Sequence, residues 1–137
     1  MKKLLLNDNI TIPLVGFGTY KSTYKEGVAS VQAAIANGYR LIDTAAIYGN
    51  EEAVGLGIAS SGIERKDLII TTKLWRENLG YESTKIEFEK SLKRLNLDYV
   101  DLYLIHWPAN AKNYDNWQDT NAATWRAMEE LQAEGRI

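Results

Sequence analysis

Apolar residues along this chain alternate between short, nearly continuous runs and longer stretches in which they recur every three or four positions. The runs Leu14 to Phe17, Tyr39 to Thr44, Leu68 to Lys73 and Tyr99 to His106 are rich in Val, Ile, Leu and Tyr. Near-continuous apolarity of this length is expected of parallel strands covered on both faces. Between them, Glu26 to Asn37 places Val28, Val31 and Ile35 on one helical face, and Asn37-Gly38 supplies the left-handed stop that a helix C-terminus favours. Asn50 predicts the N-cap of a second helix, with Glu51 and Glu52 in a first turn where the helix dipole favours acids. A third helix is predicted from Ser83 to Leu95, with Phe88, Leu92 and Leu95 inward. A fourth is predicted from Asn121 to Glu134, with Trp125, Met128 and Leu131 as its apolar stripe and Gly135 as its stop. The strand-then-helix unit recurs at intervals of roughly 25 to 32 residues, the spacing of βαβ units in a parallel sheet. Ahead of the four units, Lys3 to Leu6 and Thr11 to Val15 flank the turn-forming cluster Asn7-Asp8-Asn9, which predicts a short hairpin.

Composition narrows the function classes. At 137 residues, with 45% hydrophobic and 25% charged residues, the chain is an ordinary globular sequence rather than a disordered one. A net charge of −2 with both signs interspersed gives neither a nucleic-acid footprint nor a membrane-binding surface. With no cysteine and one histidine, disulfides and thiolate metal sites are excluded, and no protein-held metal is expected. The apolar run in MKKLLLNDN is three leucines, too short for a signal-peptide core, so a reducing cytoplasm is the expected location. No linker or low-complexity segment interrupts the chain. Its longest irregular stretch is Pro108 to Asp119.

The ends of the apolar runs carry the candidate chemistry. LIDTAAIYGNE delivers Asp43 at a strand end and Tyr48 five residues later, LIITTKLW ends with Lys73, and YVDLYLIHW ends with His106, the only histidine. Active sites of parallel β/α barrels are built from strand C-termini and the loops that follow them. A carboxylate, a phenol, an ammonium and an imidazole gathered there suit proton transfer to a carbonyl. A phenol with an ordinary pKa near 10 is a weak acid at neutral pH, and a nearby ammonium favours its ionised form. Tyr48 is then the acid, Lys73 the charge that tunes it, and Asp43 the counter-ion that a buried ammonium requires. A neutral His106 can donate a hydrogen bond to the carbonyl oxygen and steady the charge developing on it. Taken singly, Asp43 and Lys73 also read as a structural ion pair, and Tyr48 and His106 as packed core side chains. A metal-dependent hydrolase using Asp43 and His106 fails for want of further ligands.

The blocks D-T-A-x-x-Y-G-N-E, T-K-L-W and D-L-Y-L-I-H-W-P, with G-F-G-T-Y at Gly16 to Tyr20, resemble in order and spacing the signature blocks of the aldo-keto reductases. The resemblance implies an α/β fold of the (β/α)8 TIM-barrel type, and activity in NADPH-dependent reduction of aldehydes and ketones, with NADH possible. It assigns the same four catalytic roles to Asp43, Tyr48, Lys73 and His106. It puts Gly18 and Thr19, with Asp43, against the nicotinamide ribose. It makes Tyr20, Ile47, Trp75, His106 and Trp107 the walls of a pocket for a small carbonyl substrate. Trp117 and Trp125 are assigned to packing. The YGNEEAVG and W-P blocks lean toward the prokaryotic branch that reduces keto sugar acids and small α-dicarbonyls.

In that family a segment like E-G-R-I leads into the fifth strand, and a complete barrel needs about 250 residues. The expectation is therefore one aldo-keto reductase domain over residues 1–137, truncated after its fourth βα unit, a half barrel preceded by a hairpin. A half sheet with two open edges and a bare apolar face is prone to association. Self-association or a complementing second half is expected. The rival reading is a catalytically incomplete half barrel, or a non-catalytic oligomerising or binding module.

Overall fold

A computed structural model describes residues 2–6 and 10–137. The chain opens on a hairpin in which β1 (Lys3–Leu5) pairs antiparallel with β2 (Thr11–Pro13), Leu4 opposite Ile12. The Asn7-Asp8-Asn9 turn lies outside the described residues. Four strands follow, β3 (Phe17–Gly18), β4 (Leu41–Asp43), β5 (Ile69–Leu74) and β6 (Leu102–Ile105), forming a parallel sheet in chain order. The connections run through α1 (Tyr24–Ala36), α2 (Glu51–Ala59) and α3 (Tyr81–Leu95), and α4 (Trp117–Ala133) comes after β6. This is the expected α/β half barrel preceded by a hairpin. No helix among the described residues is long and apolar enough to cross a membrane.

Alternation along the strands divides the sheet into two chemistries. Ile42, Ile70, Leu74 and Tyr103 turn toward the helices and join Val31, Ile35, Val54, Phe88, Leu92 and Leu131 in the core. Positions 43, 71, 73 and 104 fall on the opposite face. The register sets Asp43 beside Thr71 and Lys73 beside Leu104, so the acid and the base share that face on adjacent strands.

β4 and β6 are shorter than their apolar runs, β5 keeps the length of its run shifted by one residue, and β3 shares only Phe17 with the expected Leu14 to Phe17, where Leu14 and Val15 are exposed. At β6 the cause is Asp101, whose carboxylate accepts from Ile70 N at 2.8 Å and from Arg65 at 2.7 Å, filling with a side chain the place of a strand rung. α2 starts at Glu51 as predicted, whereas α1, α3 and α4 start earlier than predicted. Thr23 caps α1: its hydroxyl accepts from Glu26 N at 3.3 Å, satisfying one free N–H of the first turn, and donates to the Glu26 carboxylate at 2.7 Å. α3 begins at Tyr81 rather than Ser83.

α4 begins at Trp117, and its buried stripe is Thr120, Thr124, Ala127, Met128 and Leu131. Trp125, expected within the stripe, is 59% exposed. Thr124 takes the inward place because its hydroxyl is satisfied on both sides, donating to Thr120 O at 2.8 Å and accepting from Gly80 N at 2.7 Å. A groove of about 550 Å³ runs between β6 and α4, lined by Leu102, Leu104, Trp125 and Met128. Beside it, β6 is an edge strand, as β3 is at the other side of the sheet.

α2 is the tightest element. A Cβ on Gly55 would collide with the backbone carbonyl of Leu95, so the two helices touch only because that position has no side chain. In an open helix, Gly to Ala gains about 1 kcal/mol. Here overpacking against backbone outweighs the gain, and Gly55→Ala is expected to destabilise the fold by about 1 to 3 kcal/mol. A denaturant midpoint equal to or above wild type would contradict this packing.

Candidate active site

Strand ends and one loop assemble the site. Lys73, on β5, reaches across to the end of β4, where Nζ donates to Asp43 Oδ2 at 2.7 Å, to Thr44 O at 2.9 Å and to Tyr48 Oη at 3.4 Å. All three ammonium protons thus meet oxygen. The Lys73 side chain is 13% exposed and that of Asp43 is 37% exposed. Tyr48 accepts from Lys73, which leaves its own hydroxyl proton free to point elsewhere. The phenol sits on a single turn, Ala46–Tyr48, closed by Gly49 in the left-handed region at φ 68°, where a side chain would be strained.

His106 follows β6 directly, its N–H donating to Leu74 O at 3.0 Å. Its ring stands edge-on to Tyr48 at 5.6 Å and to Trp75 at 5.4 Å, and Tyr20 extends the line with its ring 5.0 Å from that of Tyr48. The imidazole Nδ1 is buried without a hydrogen-bond partner. Burial, then the nearby Lys73 charge, hold the imidazole pKa below its ordinary 6.5, with Asp43 opposing weakly. At neutral pH the ring is uncharged.

The structure therefore brings Asp43, Tyr48, Lys73, His106, Tyr20 and Trp75 together. Trp107, 58% exposed, stands outside the line of rings. Ile47 is 48% exposed and, with Trp75, borders a neighbouring cleft of about 400 Å³ that also meets Glu51 and Arg94. Gly18 is exposed, and a Cβ built on it would meet nothing within 4 Å, so the backbone there is open to approach. Thr19 is fully buried. Its N–H donates to Asp43 O at 3.0 Å, its hydroxyl donates to the same oxygen at 3.2 Å, and its carbonyl accepts from Asn50 at 2.8 Å. Thr19 thus ties β3 to β4 and has no surface to offer.

Two residues were expected only as helix-start signals. Asn50 makes no side-chain cap on α2. Its amide is turned inward, donating to Thr19 O at 2.8 Å and Ser22 O at 3.2 Å, while its oxygen accepts from Thr44 Oγ1 at 3.2 Å. Glu51 is 1% exposed and accepts from Thr72 Oγ1 at 2.6 Å, Ser91 Oγ at 3.2 Å and Arg94 Nε at 2.7 Å. An unpaired carboxylate at that depth would be costly, and Arg94 with two hydroxyls removes the cost. The partners come from β5 and α3, so no local pattern around Glu51 announces them.

Because folding lowers the His106 pKa, the unfolded chain takes up that proton more readily. The contribution of neutral His106 to stability is complete above pH 6.5 and declines as pH falls below it. The single imidazole resonance should titrate below 6.5, and replacing His106 with Asn should remove that part of the acid-side loss of thermal stability. An imidazole that titrates at or above 6.5 would overturn this account of its surroundings.

The geometry has counterparts among known proteins. The model for the Aldo/keto reductase family matches residues 14–137. The glyoxal reductase of Bacillus subtilis (strain 168) is 53% identical over 133 residues, covering 96% of this chain and 45% of that protein. A solved aldo/keto reductase from Brucella melitensis superposes with a TM-score of 0.92 at 49% identity, over 99% of this chain and 50% of that one. The aldo-keto reductase of Bombyx mori, solved in complex with NADP, gives a TM-score of 0.87 at 38% identity, over 98% of this chain and 48% of that one. The chain spans about half the length of the relatives it matches. Its signature blocks and its half-barrel geometry agree with the family match across almost the whole sequence, and the chain belongs to the aldo/keto reductase family.

Proposed function

We propose that this chain carries the proton-donating part of a carbonyl reductase that uses NADPH, with NADH the second choice of cofactor. The observation that carries the reading is the three-way contact of Lys73 Nζ with Asp43, Thr44 O and Tyr48 Oη. Tyr48 is the acid: its oxygen is held by the ammonium while its proton faces the substrate's carbonyl oxygen. Lys73 stabilises the negative charge left on Tyr48 once that proton is given up. Asp43 keeps the ammonium paired. Neutral His106 donates a hydrogen bond to the same carbonyl oxygen, orienting it and stabilising charge as it develops.

The cofactor, when bound, supplies the hydride to the carbonyl carbon. The residues present suit it. Asp43 spends only Oδ2 on Lys73, and its half-exposed carboxylate has a second oxygen to accept from a ribose hydroxyl. Gly18 adds open backbone beside it, and Thr19 fixes the turn from within. The complex of the Bombyx mori relative with NADP supports the phosphorylated cofactor.

Tyr20, Trp75 and, at the rim, Ile47 and Trp107 give mainly apolar walls, which suit a small aldehyde or ketone held by a few polar groups. The named activity of the Bacillus relative supports small α-dicarbonyls as substrates. A keto sugar is the second substrate choice. The apolar groove along β6 and the open edge of β3 support closure by complementing βα units, from a second copy or from another segment. The same groove favours a second reading, a half barrel that associates without turnover.

NADPH oxidation measured with aldehydes and α-dicarbonyls separates the readings. Tyr48→Phe is expected to lower reduction by about 10² to 10⁴-fold, the usual share of a positioned acid, while melting like wild type. Turnover retained by Tyr48→Phe would remove that residue from the acid role. Absence of turnover in the folded wild-type chain would favour the associating module.

A further inference from the structure

The turn that carries Tyr48 is held at its tip by the Lys73 contact and the neighbouring rings, and by two backbone bonds of its own. It is one short helical turn between the end of β4 and the start of α2, with no side-chain cap of its own. Its base is fixed at a neck. Thr44 before the turn and Asn50 after it are both buried, and Thr44 Oγ1 donates to Asn50 Oδ1 at 3.2 Å, closing the loop at its base. Thr44 is itself anchored, N–H to Thr71 O at 2.9 Å and carbonyl to Lys73 Nζ at 2.9 Å. Asn50 spends its two N–H groups on Thr19 O and Ser22 O, which flank Tyr20 in the neighbouring loop. One amide, 2% exposed, thus joins the Tyr48 loop to the Tyr20 loop.

We propose that Asn50 is a positioning residue for the reaction: through Thr44, Thr19 and Ser22 it sets where the Tyr48 phenol stands relative to Lys73 and Tyr20. The inference rests on the reading of Tyr48 as the proton donor, although the placement it describes can be measured without turnover. Neither Asn50 nor Thr44 touches the reacting atoms. Their effect passes through the loop neck. An acid displaced by about 1 Å costs on the order of 10²-fold in rate while ground-state contacts to the substrate stay nearly unchanged.

Asn50→Asp is the informative substitution. It keeps the shape and still accepts from Thr44, but it sets a carboxylate oxygen against the carbonyls of Thr19 and Ser22. In wild type, NMR cross-relaxation is expected between the rings of Tyr20 and Tyr48 and between those of Tyr48 and His106, whose centroids are 5.0 and 5.6 Å apart. In Asn50→Asp both contacts should weaken or vanish, while the core pair Phe88 and Tyr103, at 4.9 Å, keeps its own. Persistence of the Tyr48 contacts in the variant would overturn the proposal.

Where Asn50→Asp also loses the core pair, Thr44→Val decides. It removes only the hydroxyl across the neck, and it should loosen Tyr48 from Tyr20 with the core intact; an unchanged Tyr48 contact there would equally overturn the proposal. In turnover, Asn50→Asp should lower kcat on the order of 10²-fold with KM nearly unchanged. A Tyr48→Phe variant that still turns over would refute the acid role of Tyr48 and leave the ring contacts to report on Asn50 separately.

Discussion

A charged ammonium placed where little of its side chain meets water must find an oxygen for each of its protons, and much of this fold satisfies that demand at Lys73. The carboxylate comes from the neighbouring strand, the carbonyl from the residue after it, and the phenol from the loop beyond. Parallel pairing in register makes the first contact possible, because Asp43 and Lys73 then emerge on one face of adjacent strands. The other two follow from the short turn Ala46–Tyr48 that comes shortly after the strand, which Gly49 closes in a left-handed conformation. One side chain's electrostatic need therefore draws on three successive parts of the chain, two of them at the loop that carries the phenol.

That loop is held by polar groups removed from water. Thr19, Thr44, Asn50, Glu51 and Thr72 are each buried, and each bonds to a group on another element. Buried polar groups that are fully satisfied select one arrangement sharply, because any shift leaves several of them unpaired in a low-dielectric setting. The apolar core between sheet and helices makes the half barrel fold. The polar layer above it decides where the strand ends and loops point.

The order of elements, the parallel sheet, the hairpin and the meeting of Asp43, Tyr48, Lys73 and His106 were readable from the sequence, because alternation, spacing and strand-end position are local signals. The starts of α1, α3 and α4 were less so. Thr23-x-x-Glu26 is a local capping signal that apolar periodicity overlooks, and in α4 Thr124 occupies the inward place that a hydrophobic stripe assigns to Trp125. Asn50 and Glu51 were read as a helix start because that is what their neighbours suggest. They do open α2, but their side chains turn inward: apart from Thr44, six residues back, Asn50 meets partners 28 and 31 residues away and Glu51 meets partners 21 to 43 away, distances at which a one-dimensional pattern is silent.

The order of strands in space is the order of strands in the chain. Each parallel ladder therefore joins segments separated by one α-helix, and none waits for a distant part of the sequence. During synthesis, where domains form as the chain emerges, every new strand finds its template already laid down and needs to close only one helical loop to reach it. The sheet can grow from one side like a course of bricks, with α2 locking onto the chain behind it before the next strand arrives. At each stage the newest strand is an open edge, as β6 is here with Leu104 and Trp125 exposed beside it, while β3 stays open at the other side.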